Sequence, residues 1–186
     1  LYAVYAIGEE ANEWHEVSNV EDFIEGQYVV ATYTGNAWYY LYQDGASSDV
    51  KAKRMNITNG IPTKYLTQPD PKQHLWTIES IGEEEYAITY SDDENTYYLK
   101  AYKDAAESIS VTTTNPAAGW VFTNNTSINT KVGVLAQFPN PVPDKAVRYL
   151  DISSNKSRWL NHDKYGYLGE MHLYRSPSSI YSTSPE

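Results

Sequence analysis

Short runs of alternating apolar and polar residues, each broken by turn-forming residues, recur along the chain. No segment shows the 3.6-residue apolar spacing of a long helix, so the pattern predicts strands with few helices beyond single turns. The clearest alternating runs are Tyr28-Val29-Val30, Tyr86-Ala87-Ile88 and Val132-Gly133-Val134. Upstream of each stands a Trp followed by strand-like residues: Trp14-His15-Glu16-Val17, Trp76-Thr77-Ile78 and Trp120-Val121-Phe122. Downstream of each comes a Tyr-Leu pair, at Tyr40-Leu41, Tyr98-Leu99 and Tyr149-Leu150, with the Leu positions 58 and then 51 residues apart. A fourth short segment follows around Lys51-Met55, Ser108-Val111 and Arg158-Leu160. A unit repeated at a roughly fixed period constrains the fold more than any single residue does. Three copies of a four-strand unit predict an all-β, β-trefoil-like domain, in which six strands close a barrel and three hairpins cap one end. An irregular β-sandwich and a barrel without threefold symmetry are the rival architectures. Met171-His172-Leu173-Tyr174 reads as a further strand that closes the start of the domain against its end.

Turn chemistry divides the rest. Ser18 or Asn19 is placed to cap one helical turn over Glu21 to Ile24, where acidic residues suit a helix N-terminus, and Gly26 then opens a strand. Thr34-Gly35-Asn36 separates two strands of the first copy, and Gly35 can take a positive φ there. Thr58 to Lys72, with Pro62, Pro69 and Pro71, reads as the first connector between copies, and Asn115 to Gly119 as the second. Pro139, Pro141 and Pro143 make a stiff excursion in the third copy, because proline cannot join a sheet interior. The predicted organisation is a tail and linker over residues 1–11, one all-β domain over 12–176 and a Ser/Pro-rich tail over 177–186.

Two stretches resemble known families. Leu1 to Ala6, LYAVYA, resembles the closing strand of the Listeria–Bacteroides repeats found in series on bacterial surface proteins. That resemblance implies the tail of a preceding module, and a chain starting at Leu1 then reads as a piece of a larger multi-domain protein. Trp14, Val17, Gly26, Tyr28 and Val30 match the "W-x-x-V … G-x-Y-V-I" opening of β-rich accessory domains in gut-bacterial surface and secreted proteins. The ricin-type trefoil lectins carry Gln-x-Trp in each copy. This chain departs from them, having His74 and Ala118 two residues before Trp76 and Trp120.

Composition narrows the chemistry. Eighteen Tyr and five Trp against three Phe suggest rings that fill a pleated face while their polar edges reach water. A net charge of −10 disfavours nucleic acid and anionic membrane surfaces as partners. No apolar run approaches the ~18 residues needed for a spanning helix, so no membrane insertion is expected. With no cysteine, there is no disulfide framework and no thiolate chemistry. The cluster Asp92-Asp93-Glu94-Asn95 offers oxygen ligands but lacks EF-hand spacing, and the four His residues stand apart. It reads as a solvated turn, and neither metal nor cofactor is expected. No nucleophile elbow or phosphate-cradling loop is present, and no two carboxylates stand out as a glycosidase pair.

Strand alternation sets the candidate site. If Leu41, Leu99 and Leu150 face inward, Tyr40, Tyr98 and Tyr149 face outward, joined by Tyr42 on the first copy and Tyr102 on the second. The dense stretches Trp38 to Tyr42 and Arg158 to Tyr167 supply the remaining rings and polar groups. Rings beside Asn, Asp and Arg suit sugars, which need an apolar platform and directional hydrogen bonds. The expected ligand residues are Trp38, Tyr40, Tyr42, Tyr98, Trp159, Asn161, Asp163, Tyr165 and Tyr167. The expected function is a non-catalytic glycan-binding or adhesion module of a bacterial cell-surface or secreted protein, directed at a glycan or a host glycoprotein. The alternatives are a protein-binding adhesin segment or spacer, and a glycoside hydrolase.

Overall fold

A computed structural model describes residues 14–17, 19–43, 50–55, 57–58, 61–62, 75–100, 109–115, 119–124, 134–138, 148–162 and 170–176. The fold is all-β with antiparallel pairing, and no α-helix occurs among the described residues. A single 3-10 turn, Val20–Asp22, is capped by Asn19, whose Oδ1 accepts the Glu21 N–H at 3.1 Å. LYAVYA, most of both connectors, the proline excursion beyond Phe138, and the tail after Ser176 lie outside the described residues.

The chain begins with β1 (His15–Glu16), β2 (Gly26–Thr34), β3 (Ala37–Gln43) and β4 (Val50–Met55). Two short strands follow, β5 (Ile57–Thr58) and β6 (Ile61–Pro62), paired with each other. A second set comprises β7 (Trp76–Gly82), β8 (Glu85–Ser91), β9 (Thr96–Lys100) and β10 (Ser110–Thr112). The third contributes β11 (Val121–Asn124), β12 (Val134–Phe138), β13 (Arg148–Ile152) and β14 (Trp159–His162). Both later sets are four-stranded antiparallel meanders. In the first set, β2, β3 and β4 pair in series, but β15 (Glu170–Arg175) lies between β1 and β2. The Met171–Tyr174 segment therefore does join the end of the domain to its start.

Turn residues fix register where the chain reverses tightly. Gly35 and Asn36 both have positive φ, +57° and +64°, the primed turn whose twist suits a two-residue hairpin. That turn sets Thr34 opposite Ala37 and Tyr33 opposite Trp38.

Two junctions between these strand sets are built from the same kinds of contact. Trp76 pairs with Tyr28 across β7 and β2, and its indole N–H donates to the Leu41 carbonyl at 3.1 Å. Trp120 bridges Tyr86, and its indole donates to the Leu99 carbonyl at 3.0 Å. The same three residue types meet at both junctions: the Trp of one strand set, and a Tyr and Leu of the set before. The third indole departs from the pattern, since Trp159 sits on a fourth strand and donates to the Tyr40 carbonyl at 3.2 Å. The fourth strands also converge. The Val50 N–H donates to the Ile109 carbonyl at 3.3 Å, and the Ile109 N–H to the Trp159 carbonyl at 3.0 Å.

One core cluster unites these parts. It holds Leu41, Leu99 and Leu150, the indoles of Trp76, Trp120 and Trp159, and the residues Val50 and Ile109. The three Leu thus face inward as their spacing predicts. The core spans both large sheets, with Phe122 and Leu150 from the four-stranded one packed beside Ile78 and Ile88 from the other.

Loss of a junction indole removes packing and leaves a buried carbonyl without its donor. Trp76→Phe and Trp120→Phe are each expected to lower unfolding free energy by about 2–4 kcal/mol in urea denaturation. Gly119 is held for a different reason: a Cβ there would meet the Tyr86 carbonyl oxygen and nitrogen at 2.8 and 2.9 Å. Gly119→Ala is expected to cost about 1–3 kcal/mol, because backbone rather than a flexible side chain must give way. If both classes of variant melt like the parent chain, the junctions are not what holds the strand sets together.

Candidate functional site

The far side of the sheet from the core carries the chemistry. Alternation along β2 sends Tyr28 and Val30 into the main core and Val29, Ala31 and Tyr33 to the opposite face. Register then assembles that face strand by strand. Tyr33 stands opposite Trp38, Ala31 opposite both Tyr40 and His172, and Val29 opposite Tyr174. Across β4, Trp38, Tyr40 and Tyr42 oppose Met55, Lys53 and Lys51. Tyr174 of β15 opposes Glu16 of β1. The face therefore runs from an acidic edge at Glu16, through a band of rings, to a basic edge on β4.

Two parts of this face differ in burial. Tyr40 and Tyr42 are only 3% and 8% exposed, and with Val29, Ala31, Met55 and Tyr174 they form a second apolar cluster. Trp14, Trp38 and Leu75 pack against it while partly exposed. The Tyr40 and Tyr42 rings meet edge-on at 6.0 Å, and Lys53 Nζ lies 3.7 Å above the Tyr42 ring. The other part is open. Tyr33 is 49% exposed, the largest exposure of any ring among the described residues. Its ring lies 5.3 Å from that of Trp38, which meets His172 edge-on at 4.9 Å and Tyr174 at 6.0 Å.

A polar pair borders the open rings. His172 Nδ1 donates to Glu16 Oε1 at 2.7 Å, with the two side chains 15% and 39% exposed. The contact fixes the imidazole against Trp38 and leaves the second carboxylate oxygen of Glu16 as an acceptor. Rings of two faces, an accepting carboxylate and an imidazole within one patch can both stack on an apolar ligand face and hydrogen-bond its hydroxyls.

The expected ligand residues are distributed unevenly over this geometry. Trp38 stands at the centre of the open patch. Tyr40 and Tyr42 occupy the predicted outer face but are covered there. Trp159 departs from the expectation of an accessible ring: it is 0% exposed, inside the main core, with its indole committed to the Tyr40 carbonyl. Alternation explains this, since Arg158, just before β14, is exposed and the next residue, Trp159, points in. Tyr98 lies on β9, partly exposed, opposite Thr89 and Thr112 and away from Trp38 in the strand order. Asn161 is on β14, opposite Leu150. Asp163, Tyr165 and Tyr167 lie outside the described residues, as does Tyr102.

Tyr33, His172 and Glu16 escaped the sequence reading. Tyr33 was recoverable, because a two-residue Gly35-Asn36 turn places it opposite Trp38 once the register is drawn. His172 follows by alternation from Met171 and Leu173, both core residues. Glu16 carried no signal, because its approach to His172 spans 156 residues.

The acidic turn has a local role. Asp92 Oδ1 accepts the N–H groups of Glu94 and Asn95 at 2.9 and 2.7 Å. A hydrogen bond to Asp92 also raises the Tyr97 pKa. Among the described residues, no group of three or more His, Cys, Asp or Glu side chains is arranged to hold a metal ion.

No protein-family model matches the chain, and no curated protein matches it either.

Burial gives the tyrosines a measurable signature. Burial pushes the Tyr28 phenol up to about 12, an effect that nearby Arg175 only partly opposes. It also raises Tyr40 and, further still, Tyr174. A phenol whose pKa is higher folded than unfolded leaves stability intact below the ordinary value of about 10 and erodes it as pH rises toward 12. Tyrosinate absorbance is expected to show a late, cooperative step from these buried phenols, coinciding with loss of near-ultraviolet circular dichroism. A single ordinary titration of all the tyrosines with the fold intact would contradict the burial of this face.

Proposed function

We propose that the chain is a non-catalytic carbohydrate-binding module of a bacterial cell-surface or secreted protein, built on a β-trefoil-like plan. The observation that carries the binding reading is the open ring patch of Tyr33 and Trp38, bordered by the Glu16–His172 hydrogen bond. Such a patch offers a sugar a stacking surface and directional hydrogen-bonding groups, and needs no cofactor or metal. The repeated Trp–Tyr–Leu junction supports the trefoil-like plan, as does the convergence of the three fourth strands. The two resemblances support the extracellular setting within a larger chain.

A spacer or protein-binding adhesin segment is the second reading, favoured by the burial of Tyr40, Tyr42 and Trp159. Rings taken into cores stabilise a module without offering a ligand anything.

Binding to a glycan array separates the two readings. The module is expected to bind, and Trp38→Ala and Tyr33→Ala are each expected to weaken that binding about tenfold, in line with a ring contact worth up to about 1.5 kcal/mol. Tyr98→Ala, remote from the patch, should leave it unchanged. A blank array, with tryptophan fluorescence unmoved by mucin and plant polysaccharides, would favour the spacer.

A further inference from the structure

The basic edge of the outer face contrasts with the chain's overall charge. The protein carries −10, yet β4 reads Val-Lys-Ala-Lys-Arg-Met, and alternation places Lys51 and Lys53 on the same face as Tyr40 and Tyr42. Beside β4 runs the turn and strand of the third copy. Lys51 stands directly opposite Arg158 in an antiparallel bridge, next to the hydrogen bond from the Ala52 N–H to the Ser157 carbonyl at 3.0 Å. Directly opposed residues share a face, so two cations project side by side. Opposed like charges destabilise a sheet.

Among the described residues, no carboxylate lies within ion-pair distance of Lys51, Lys53 or Arg158. Lys53 is instead held over the Tyr42 ring, and both it and Arg158 are exposed. A fourth cation, Lys156, reaches from the same turn to the β2–β3 hairpin, where a Cβ on Gly35 would meet its Nζ at 2.7 Å. Four cations thus flank the ring band on a molecule otherwise rich in carboxylates.

Position ties this edge to the open rings. Tyr42, opposite Lys51, and Trp38, at the centre of the ring patch, are four residues apart on β3. Four residues of strand span roughly 13 Å. A ligand of a few sugar units laid along β3 would reach from the rings to the cations.

We propose that this face takes an anionic glycan, its neutral part on Tyr33 and Trp38 and a sulfate or carboxylate group between Lys51, Lys53 and Arg158. The proposal rests on the carbohydrate-binding reading and narrows it to acidic polysaccharides. An anion between Lys51 and Arg158 would relieve their repulsion and form charge-assisted hydrogen bonds, with the guanidinium suited to two-pronged contact. The overall negative charge repels polyanions, so attraction at this edge is local.

An array carrying matched neutral, sulfated and uronate forms of the same backbones tests this, read for the parent chain, Lys51→Gln, Arg158→Gln and Trp38→Ala. The expected result is preference for one charged form, which also identifies the anion. Lys51→Gln and Arg158→Gln should each weaken binding to that form about tenfold, as loss of one charge-assisted contact does. They should melt no lower than the parent, because each removes a like-charge pair. Binding to neutral forms alone, or charged-form binding that survives both charge substitutions but not Trp38→Ala, would overturn the anion site and leave the carbohydrate reading standing. A blank array would overturn both.

Discussion

A buried indole N–H must find an acceptor, and this domain satisfies that demand by tying one part of its sequence to another. Trp76 and Trp120 both reach back to the carbonyl of a Leu whose side chain already fills the core. A single Leu therefore supplies packing through its side chain and an acceptor through its backbone. The adjoining Trp–Tyr strand pairs fix the register of each contact. In a dry interior, an unmet donor or acceptor costs more than the bond contributes when made, so these contacts specify which segments meet as much as they stabilise the meeting.

The outer face follows from the same frame. Turning Leu41 inward turns Tyr40 and Tyr42 outward, and the pairing of β15 beside β2 brings His172 and Tyr174 onto that side. The chain thus obtains a second apolar cluster on the reverse of its largest sheet. Rings are covered at its centre and open near the Gly35-Asn36 turn. Exposure there is concentrated in one place and bordered by charge of both signs.

The fold was legible where a residue's role is local or repeated. Strand alternation placed Leu41, Leu99 and Leu150 inside, and the Asn19 cap and the Gly35-Asn36 turn follow from short-range chemistry. The Trp–Tyr–Leu recurrence was visible as spacing, but spacing does not show that indole and carbonyl touch. The site was less legible, since facing outward from one sheet is not the same as meeting solvent. Tyr40 and Tyr42 face outward and are buried. Polar neighbours suggest an accessible ring at Trp159, although alternation with Arg158 directs it inward. Glu16 meets His172 only through the β1–β15 pairing of the chain's two ends, which no local pattern encodes.

Hydrogen exchange of the five indole N–H protons, resolved by nitrogen-15 NMR, tests the central claim most directly. If indole–carbonyl bonds join the strand sets, Trp76, Trp120 and Trp159 exchange only through global unfolding, with protection matching the unfolding free energy, while Trp38 on the open face exchanges far faster. Exchange of Trp76 and Trp120 as rapid as that of Trp38, in a folded sample, would contradict the account.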